Sequence, residues 1–530
     1  MTRSAEEIGR GLAEPRPARP IAAGERIHIV GAAGAGASAA MLLAHHARAG
    51  VTGCDPGGSS AYTQLAEQIG LTLSWRHDPR HVVHEGHVVV DRLGVTKALT
   101  SVAPDHPELR AARDHGVPLE PWQQVVADAA ATQGGRLVGV AGTHGKSTSA
   151  GWLVDLLVRA DRDPAAYIGA LRRDDIKPGG SDAATSLPST ARWGRGDVFV
   201  VEADEYAGNF DAFRPSLAIL LNAEWDHPDV FADEEAVLAS FERWIRASDG
   251  AGERPTLVAN VGNAGVATVV ERLSDWPGRI VRTQLNKAAS GSQGAEVTGR
   301  LEGAPVDAPA AGPTHLELRM PGAAPSRLSL PLPGRHNAEN ALCVAAAAWS
   351  LAVPAEAIAA HLVDFRGVGR RLELKGDVGG VVVIDDYGHH PTAIGLTLEA
   401  VRGGYPGRRV WAVYEPLTYH RTAAMLPAFA DVLSTADAVA VADIWAGRDP
   451  DTTIASAAGL AAAVNQRGRA HAEASGSVEE TADYLAAEVR PGDVVLVMGG
   501  GRSYVIADRL VDRLGGREST TTAGPPTLSR

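Results

Sequence analysis

Cysteine is nearly missing from this chain: Cys54 and Cys343 are the two among 530 residues. That scarcity excludes a disulfide framework, argues against a cysteine-built zinc site, and fits a reducing cytoplasm. An excess of basic charge is lacking too. The 50 Lys and Arg are outnumbered by 63 Asp and Glu, a formal net charge of −13, so no basic face for nucleic acid or an anionic membrane is expected. No apolar run reaches the roughly 18 residues that a membrane helix needs. The opening stretch MTRSAEEIGRGLAEPRPARP has no apolar segment and does not read as a signal peptide. Residues 1–24 are expected to be a disordered lead and 516–530 a disordered tail. What remains, 45% hydrophobic and 21% charged, is the balance of a globular protein with about two to four domains.

The densest local signal is GVAGTHGKSTSA, Gly139 to Ala150. An apolar run (Leu137, Val138, Val140) precedes it, and GWLVDLLVRA, with helical apolar spacing, follows. A strand, a glycine turn and a helix start form a phosphate cradle, in which backbone N–H groups and the positive helix end face the anion. Lys146 adds a point charge, expected to point freely from the loop, and Ser147 or Thr148 offers a hydroxyl to Mg²⁺. The strict phosphate-loop pattern would place glycine where Val140 stands. The stretch reads as a nucleoside triphosphate site.

Upstream, RIHIVGAAGAGASAAMLLAHHARAGVTGCD outlines a strand to Val30, a turn with glycines at 31, 34 and 36, a helix, and a second strand of about Val51–Gly53 ending at Asp55. This is a Rossmann-type unit for a nucleotide or diphosphate, although the glycines do not follow the NAD spacing. Glycines at such a turn also serve helix packing alone. Downstream, DVFVVEADEYAGNF places Glu202, Asp204 and Glu205 after one strand, and LAILLNAEWDHPDVF places Asp226, His227 and Asp229 after another. Acidic groups at strand ends beside a phosphate loop are where Mg²⁺ ligands belong. Residues 283–329, rich in Gly, Ala, Pro and Ser, read as a small β-rich flap or edge. His336, Asn337 and Asn340 open a helix, where asparagine usually caps. From about Phe365 a second doubly wound α/β pattern begins, with Asp385, Asp386, Tyr387, His389 and His390 after its first strand; the two histidines are expected to serve nucleotide contact or packing. The fold class expected is α/β in three domains: N-terminal Rossmann-like (25–134), central P-loop ATPase-like with the flap (135–364), and C-terminal Rossmann-like (365–515).

Nine pieces stand in order along nearly the whole chain: GAAGAGASA followed by GCD, then GTHGKST, EADE, NAEWDHPD, PGRHNAENAL, GVGRRLE, DDYGHHPT, TYHRT and VVLVMGGG. In that order they resemble the Mur ligase family. The resemblance implies a cytoplasmic, ATP-dependent ligase of peptidoglycan synthesis that needs Mg²⁺, or Mn²⁺ in its place. It would work as a monomer or homodimer. Its substrates would be UDP-N-acetylmuramate and a small amino acid, alanine first, joined through an acyl phosphate. The alternative is addition of the L-alanyl-γ-D-glutamyl-diaminopimelate tripeptide to the same sugar nucleotide.

Residue by residue, the resemblance assigns Gly142, Thr143, His144, Gly145, Lys146, Ser147 and Thr148 to ATP, with Lys146 on the β/γ-phosphates. Ser147 and Glu202 would hold one metal ion and His227 a second. His336, Asn337 and Asn340 match the adenine-side motif. Arg371 would reach the γ-phosphate, and Asp386 with His389 would meet ATP from the third domain; Lys146, His227 and Arg371 are the catalytic set. Gly34, Gly36, Ala37, Ser38 and Asp55 would contact UDP, and Leu417, Thr418 and Arg421 the amino acid. Four departures stand out: GAAGAGASA at the first turn, no lysine between Pro228 and Arg246 where some relatives carry a carbamylated one, GGGRSY at the last turn without an aspartate, and YEPLTYHRT, where Glu415 and Leu417 replace a glutamine and a histidine. The Glu415–Pro416 half is closer to the tripeptide ligases, the TYHRT half to the alanine ligases. Two other classes stay open. A nicotinamide dehydrogenase would use Gly31–Asp55 but leave the phosphate loop idle, and a non-catalytic relative would have no use for Lys146, Glu202, His227, Arg371 and Asp386 together.

Overall fold

The computed structural model describes residues 2–172, 187–249, 253–285, 295–302, 314–447, 449 and 451–521, with side chains to residue 516. Alternating apolar strands and helices form three large sheets, beside a two-stranded ribbon of Val83–His84 and His87–Val88, in two compact units; among the described residues, the first unit reaches Gly369 apart from 333–335, which belong to the second with the chain from Arg370.

The first unit contains two of the sheets. One is wholly parallel, in the order Thr72–Ser74, Gly50–Cys54, Arg26–Val30, Arg92–Val95, Leu119–Pro121. Its order reverses at Arg26–Val30, the kind of position where doubly wound sheets bind ligands. The other has ten strands and carries Arg136–Ala141 between Val198–Glu202 and Leu217–Leu220. These inner strands are apolar and buried on both faces, as parallel strands covered by helices must be. The expected β-rich flap extends this sheet through Arg279–Leu285 and Val297–Leu301 into antiparallel Thr314–Arg319 and Ser326–Leu330; residues 286–294 and 303–313 of that region lie outside the described residues.

The two sheets share one apolar core, which runs from Ile27, Met41 and Val125 to Phe199, Phe210 and Trp244. Helix Ala35–His46 reaches across, with His46 stacked on Trp193 at 5.7 Å, and Trp122 meets Tyr167 edge-on at 5.3 Å. The lead corrects the expectation of disorder over its described part. Ser4 and Glu7 form a capping box on helix Ala5–Ile8, Ile8 is buried beside Tyr206, and Arg16 pairs with Glu120 at 2.8 Å and Asp128 at 2.7 Å. Those carboxylates are buried and already face Arg92, so Arg16 supplies charge they need. Such partners lie too far along the sequence for composition to reveal.

The second unit holds a six-stranded sheet in the order Glu373–Val378, Val381–Asp386, Val494–Gly499, Val410–Glu415, Ala438–Ala442, His471–Gly476. Its first strand is antiparallel and the others parallel. Both edge strands, Glu373–Val378 and His471–Gly476, are largely polar and gave no strand signal in the sequence. The final helix, Ser503–Thr521, runs into the expected tail, whose residues 522–530 lie outside the described residues.

Candidate active site

The phosphate loop leaves the central strand at Ala141 and enters helix Lys146–Arg159 at Gly145. Gly142 and Gly145 have φ of +142° and +79°, and a Cβ on Gly145 would stand 2.9 Å from Asn340 Oδ1, so both the turn and the close approach of Asn340 require glycine there. Asn222 grips the loop from the neighbouring strand end. Its Oδ1 accepts the His144 N–H at 2.7 Å, its backbone oxygen accepts that of Thr143, and its amide donates to the His144 carbonyl at 3.1 Å. Thr143 Oγ1 accepts the Glu224 N–H at 2.9 Å. Asn222 escaped the sequence reading, although it opens NAEWDHPD.

Lys146 does not point freely. It is mostly buried, with Nζ 2.9 Å from Glu205 Oε2 and donating to the Gly142 carbonyl at 2.7 Å. Burial opposes its charge, but Glu205, Asp204 and Glu202 outweigh burial and hold its pKa above the usual lysine value. Burial lifts Glu205 in the other direction, to about 6, against the pull of Lys146. The second Glu205 oxygen, Oε1, is buried, makes no hydrogen bond, and lies 3.9 Å from His227 Nε2. Asp204, Glu205 and His227 place one ligand atom each within 4.8 Å of the others. His227 adopts a left-handed φ of +54° in the loop that follows strand Leu217–Leu220. On the other side, Ser147 Oγ donates to Glu202 Oε1 at 3.0 Å, and the Gly169 N–H donates to Glu202 Oε2 at 2.7 Å. The donors suit Mg²⁺, a hard ion that prefers carboxylate and hydroxyl oxygens. The orphaned Glu205 oxygen is the observation that fits a cation. Glu205 and Asp204 therefore join Ser147, Glu202 and His227 as candidate ligands.

The residues expected on the adenine side, His336, Asn337 and Asn340, gather at the start of helix Arg335–Ser350, with Asn340 Nδ2 donating to Asn337 Oδ1 at 3.4 Å. Burial pushes His336 down to about 4, so its ring is neutral at pH 7. At the first glycine turn the expected UDP residues divide by task. Gly34 caps helix Ala35–His46, and the Asp55 carboxylate accepts the N–H groups of Ala33 at 3.0 Å and Gly57 at 2.8 Å. Ala37 is buried and Ser38 donates to the Tyr62 carbonyl at 2.6 Å. Gly36 faces Trp122, whose ring would lie 2.2 Å from a Cβ, so packing accounts for that glycine.

Arg371, Asp386, His389, Leu417, Thr418 and Arg421 belong to the second unit. Arg371 lies over the Tyr387 ring at 4.9 Å. Its neighbour Arg370 is the unit's clasp, donating to Gly499 O and Ser503 Oγ at 2.7 Å each and pairing with Asp385 at 3.2 Å. The residues flanking Arg371 are left-handed, Arg370 at φ +58° and Leu372 at +47°, a strain that functional segments often carry. Both Asp386 oxygens accept backbone N–H groups, from Leu372 at 2.8 Å and Gly388 at 2.7 Å, and burial still raises its pKa. His389 Nδ1 lies 2.9 Å from the Tyr387 carbonyl, while His390 caps helix Pro391–Gly404. In the loop expected to meet the amino acid, Thr418 adopts φ +65° and caps the helix that carries the fully buried Arg421. Leu417 is buried, and its Cδ2 would lie 2.8 Å from a Cβ on Gly500. Glu415 is buried behind the last glycine turn with its carboxylate against Gly501; burial raises its pKa, opposed by the nearby backbone N–H groups of Arg502 and Ser503.

Comparison with known proteins bears on the whole assembly. Residues 26–133 match the description "Mur ligase family, catalytic domain", 140–348 "Mur ligase middle domain" and 370–501 "Mur ligase, glutamate ligase domain". The UDP-N-acetylmuramate–L-alanine ligase of Roseiflexus sp. (strain RS-1) is 32% identical over 508 residues, covering 92% of this chain and 98% of that protein. The chain belongs to the Mur ligase family. A second such ligase, from Acidothermus cellulolyticus, is 34% identical over 495 residues, covering 92% of this chain and 94% of its own. Among solved structures, the UDP-N-acetylmuramate-alanine ligase of Thermotoga maritima superposes with a TM-score of 0.71 at 23% identity, covering 93% of this chain and 99% of that one. The murein peptide ligase of Psychrobacter arcticus reaches 0.68 at 23% identity with the same coverage. Both share this Mur ligase fold.

Proposed function

We propose that this Mur ligase joins the carboxylate of UDP-N-acetylmuramate to the amine of L-alanine at the expense of ATP, in the cytoplasm, for peptidoglycan precursor synthesis. The observation that carries the chemistry is the Lys146–Glu205–His227 group beside Ser147–Glu202 at the ends of the central parallel strands. It supplies a cation and two oxygen-rich recesses next to a helix start that faces an anion. Both curated relatives described above are named as alanine ligases, and that supports the choice of substrate.

Phosphoryl transfer asks the protein mainly to position and neutralise. Backbone N–H groups of the 142–148 turn hold the triphosphate. Lys146 turns from Glu205 toward the β/γ-phosphates, and the γ-phosphoryl passes to the sugar carboxylate, releasing ADP. The amine of alanine then attacks the acyl phosphate, and phosphate leaves. Ser147 and Glu202 would hold one Mg²⁺, and Asp204, Glu205 and His227 a second; bound there, the ions neutralise phosphate charge and polarise the acyl phosphate. Arg371 contributes a further charge to the γ-phosphate. Arg421 receives the amino acid's carboxylate, for which a guanidinium fork is suited. On the UDP side, Gly34 and the Asp55-braced turn present backbone to the diphosphate.

Glu415 bears on the choice between one amino acid and the tripeptide. Its carboxylate is turned inward to the start of the final helix, so packing accounts for the departure without a larger substrate. Phosphate release with UDP-N-acetylmuramate, ATP and a panel of amino acids tests the reading. Alanine should stimulate release most, with glycine and serine behind it. Release with the tripeptide and with no free amino acid would overturn it.

A further inference from the structure

A second group of ligand-type side chains lies at one end of the first sheet, outside the residues used above. His28 comes from strand Arg26–Val30, Cys54 ends the adjacent strand Gly50–Cys54, His81 ends the short helix Pro79–His81, and Glu108 sits in the first turn of helix Pro107–Asp114. His28 Nδ1 meets Thr52 Oγ1 at 2.7 Å, and its Nε2 lies 3.3 Å from Cys54 Sγ. Cys54 Sγ is in turn 3.3 Å from Glu108 Oε2, and Glu108 Oε1 is 2.6 Å from His81 Nδ1. Ligand atoms of all four residues fall within 4.8 Å of one another. His28 is 1% exposed, and Cys54 and Glu108 are wholly buried.

A buried carboxylate requires a positive partner. Among the described residues, the ion-pair partners of Glu108 are all histidines: His77, His81 and His106. Imidazoles balance a carboxylate only when protonated, and two or three imidazolium ions crowded around one carboxylate would repel one another. One divalent ion satisfies the carboxylate, the sulfur and the imidazoles together.

We propose that His28, Cys54, His81 and Glu108 form a tetrahedral Zn²⁺ site. Zinc bonds of about 2.0–2.3 Å set neighbouring ligand atoms roughly 3.3–3.8 Å apart. The His28–Cys54 and Cys54–Glu108 separations of 3.3 Å already fit, and the His81–Glu108 hydrogen bond opens to admit the ion. One thiolate with two imidazoles and a carboxylate suits zinc over the hard ions magnesium and calcium. With the metal on Nε2, His28 Nδ1–H would donate to Thr52 Oγ1, 2.7 Å away, the usual task of a partner behind a metal-bound histidine. On binding, the Cys54 thiol gives its proton to solvent and the sulfur becomes the ligand. The backbone oxygen of Cys54 accepts the N–H groups of Gly31 and Ala32, so the ion clamps the strand end that carries the first glycine turn. The scarcity of cysteine speaks against a cysteine-built zinc site, but a mixed set of ligands needs only one cysteine. The sequence signal is the pair His77 and His81 in HDPRH, spaced to hold one carboxylate between them.

The test uses the full chain without a histidine tag, loaded with Zn²⁺, desalted and measured by mass spectrometry of the metal. One zinc per chain is expected. Co²⁺ in its place should give the intense visible bands of a tetrahedral ion and a near-ultraviolet thiolate charge-transfer band. Cys54→Ser should abolish that band and Cys343→Ser should keep it. Thr52→Val should weaken metal affinity by roughly ten- to a hundredfold. Zinc far below one equivalent, or cobalt spectra without the thiolate band in the wild-type chain, would overturn the proposal. So would a band that survives in Cys54→Ser. Should that variant fail to fold, the wild-type zinc count and cobalt spectrum decide the matter alone.

Discussion

Two strand–glycine turn–helix units of this molecule look alike in sequence and serve different ends. At Ala141–Lys146 the turn is braced from outside: Asn222 holds its backbone at 2.7 Å, and Lys146 is paired at 2.9 Å with Glu205 from another strand. The helix start is left for a ligand's anion. At Gly499–Ser503 the neighbouring strand itself supplies the anion, because the Glu415 carboxylate lies against Gly501, near the backbone N–H groups of Arg502 and Ser503. Gly500 and Gly501 are small there because Leu417 and Glu415 occupy the space beside them, 2.8 and 2.9 Å from where a Cβ would stand. The glycine pattern announces a helix start that wants negative charge. Whether a ligand or the protein's own carboxylate meets that want is decided by the adjacent strand.

Lys146→Ala should break the comparison most severely. Loss of the charge on the transferring phosphoryl should lower turnover at least about a hundredfold, close to 3 kcal/mol of barrier. It also removes the cation that holds the pKa of buried Glu205 down against burial, so the carboxyl takes up a proton more readily and the loss of stability is limited. Near-normal turnover in a folded variant would remove the phosphate role from this loop.

His227→Ala comes next, at about ten- to a hundredfold in kcat with little change in the KM for ATP, since this side chain faces the second metal recess. Steady-state kinetics at varied Mg²⁺ separate the two constants; a rise in the KM for ATP at unchanged kcat would put His227 on the nucleotide instead.

Gly36→Ala sharpens the contrast at the first turn. A Cβ 2.2 Å from the Trp122 ring should cost about 1–3 kcal/mol in thermal or denaturant unfolding. The KM for UDP-N-acetylmuramate should change little, if packing is what this glycine serves. A large rise in that KM with stability intact would return Gly36 to the ligand.

The smallest effect belongs to the second turn. Glu415→Gln keeps the shape and removes the charge, and should lower unfolding stability by about 1 kcal/mol while leaving the KM for ATP alone. If the same substitution switched the substrate from alanine to the tripeptide, Glu415 would be lining the amino-acid pocket after all.

Much of the architecture was legible because its signals are local. Apolar runs of strand length, glycines at turns and helix-period spacing mark the inner strands of the three large sheets and place Glu202 at a strand end, Lys146 at a helix start and His227 in the loop after a strand. The polar edge strands Glu373–Val378 and His471–Gly476 were not legible, since an edge strand has little apolar surface to bury. The order of nine motifs was enough by itself to suggest the family.

Partners were another matter. Lys146 finds Glu205 59 residues away, and Arg16 finds Glu120 and Asp128 more than a hundred residues away. Trp122 claims the space beside Gly36, Glu415 fills a helix start that reads as open, and His28, Cys54, His81 and Glu108 converge from four separate elements. The chain alone determined most of the inner strands, the glycine turns and the helices that follow them, because those choices rest on neighbours within a few residues. The tertiary structure decided which charge meets which, because burial and pairing depend on groups that only the packed sheets bring together.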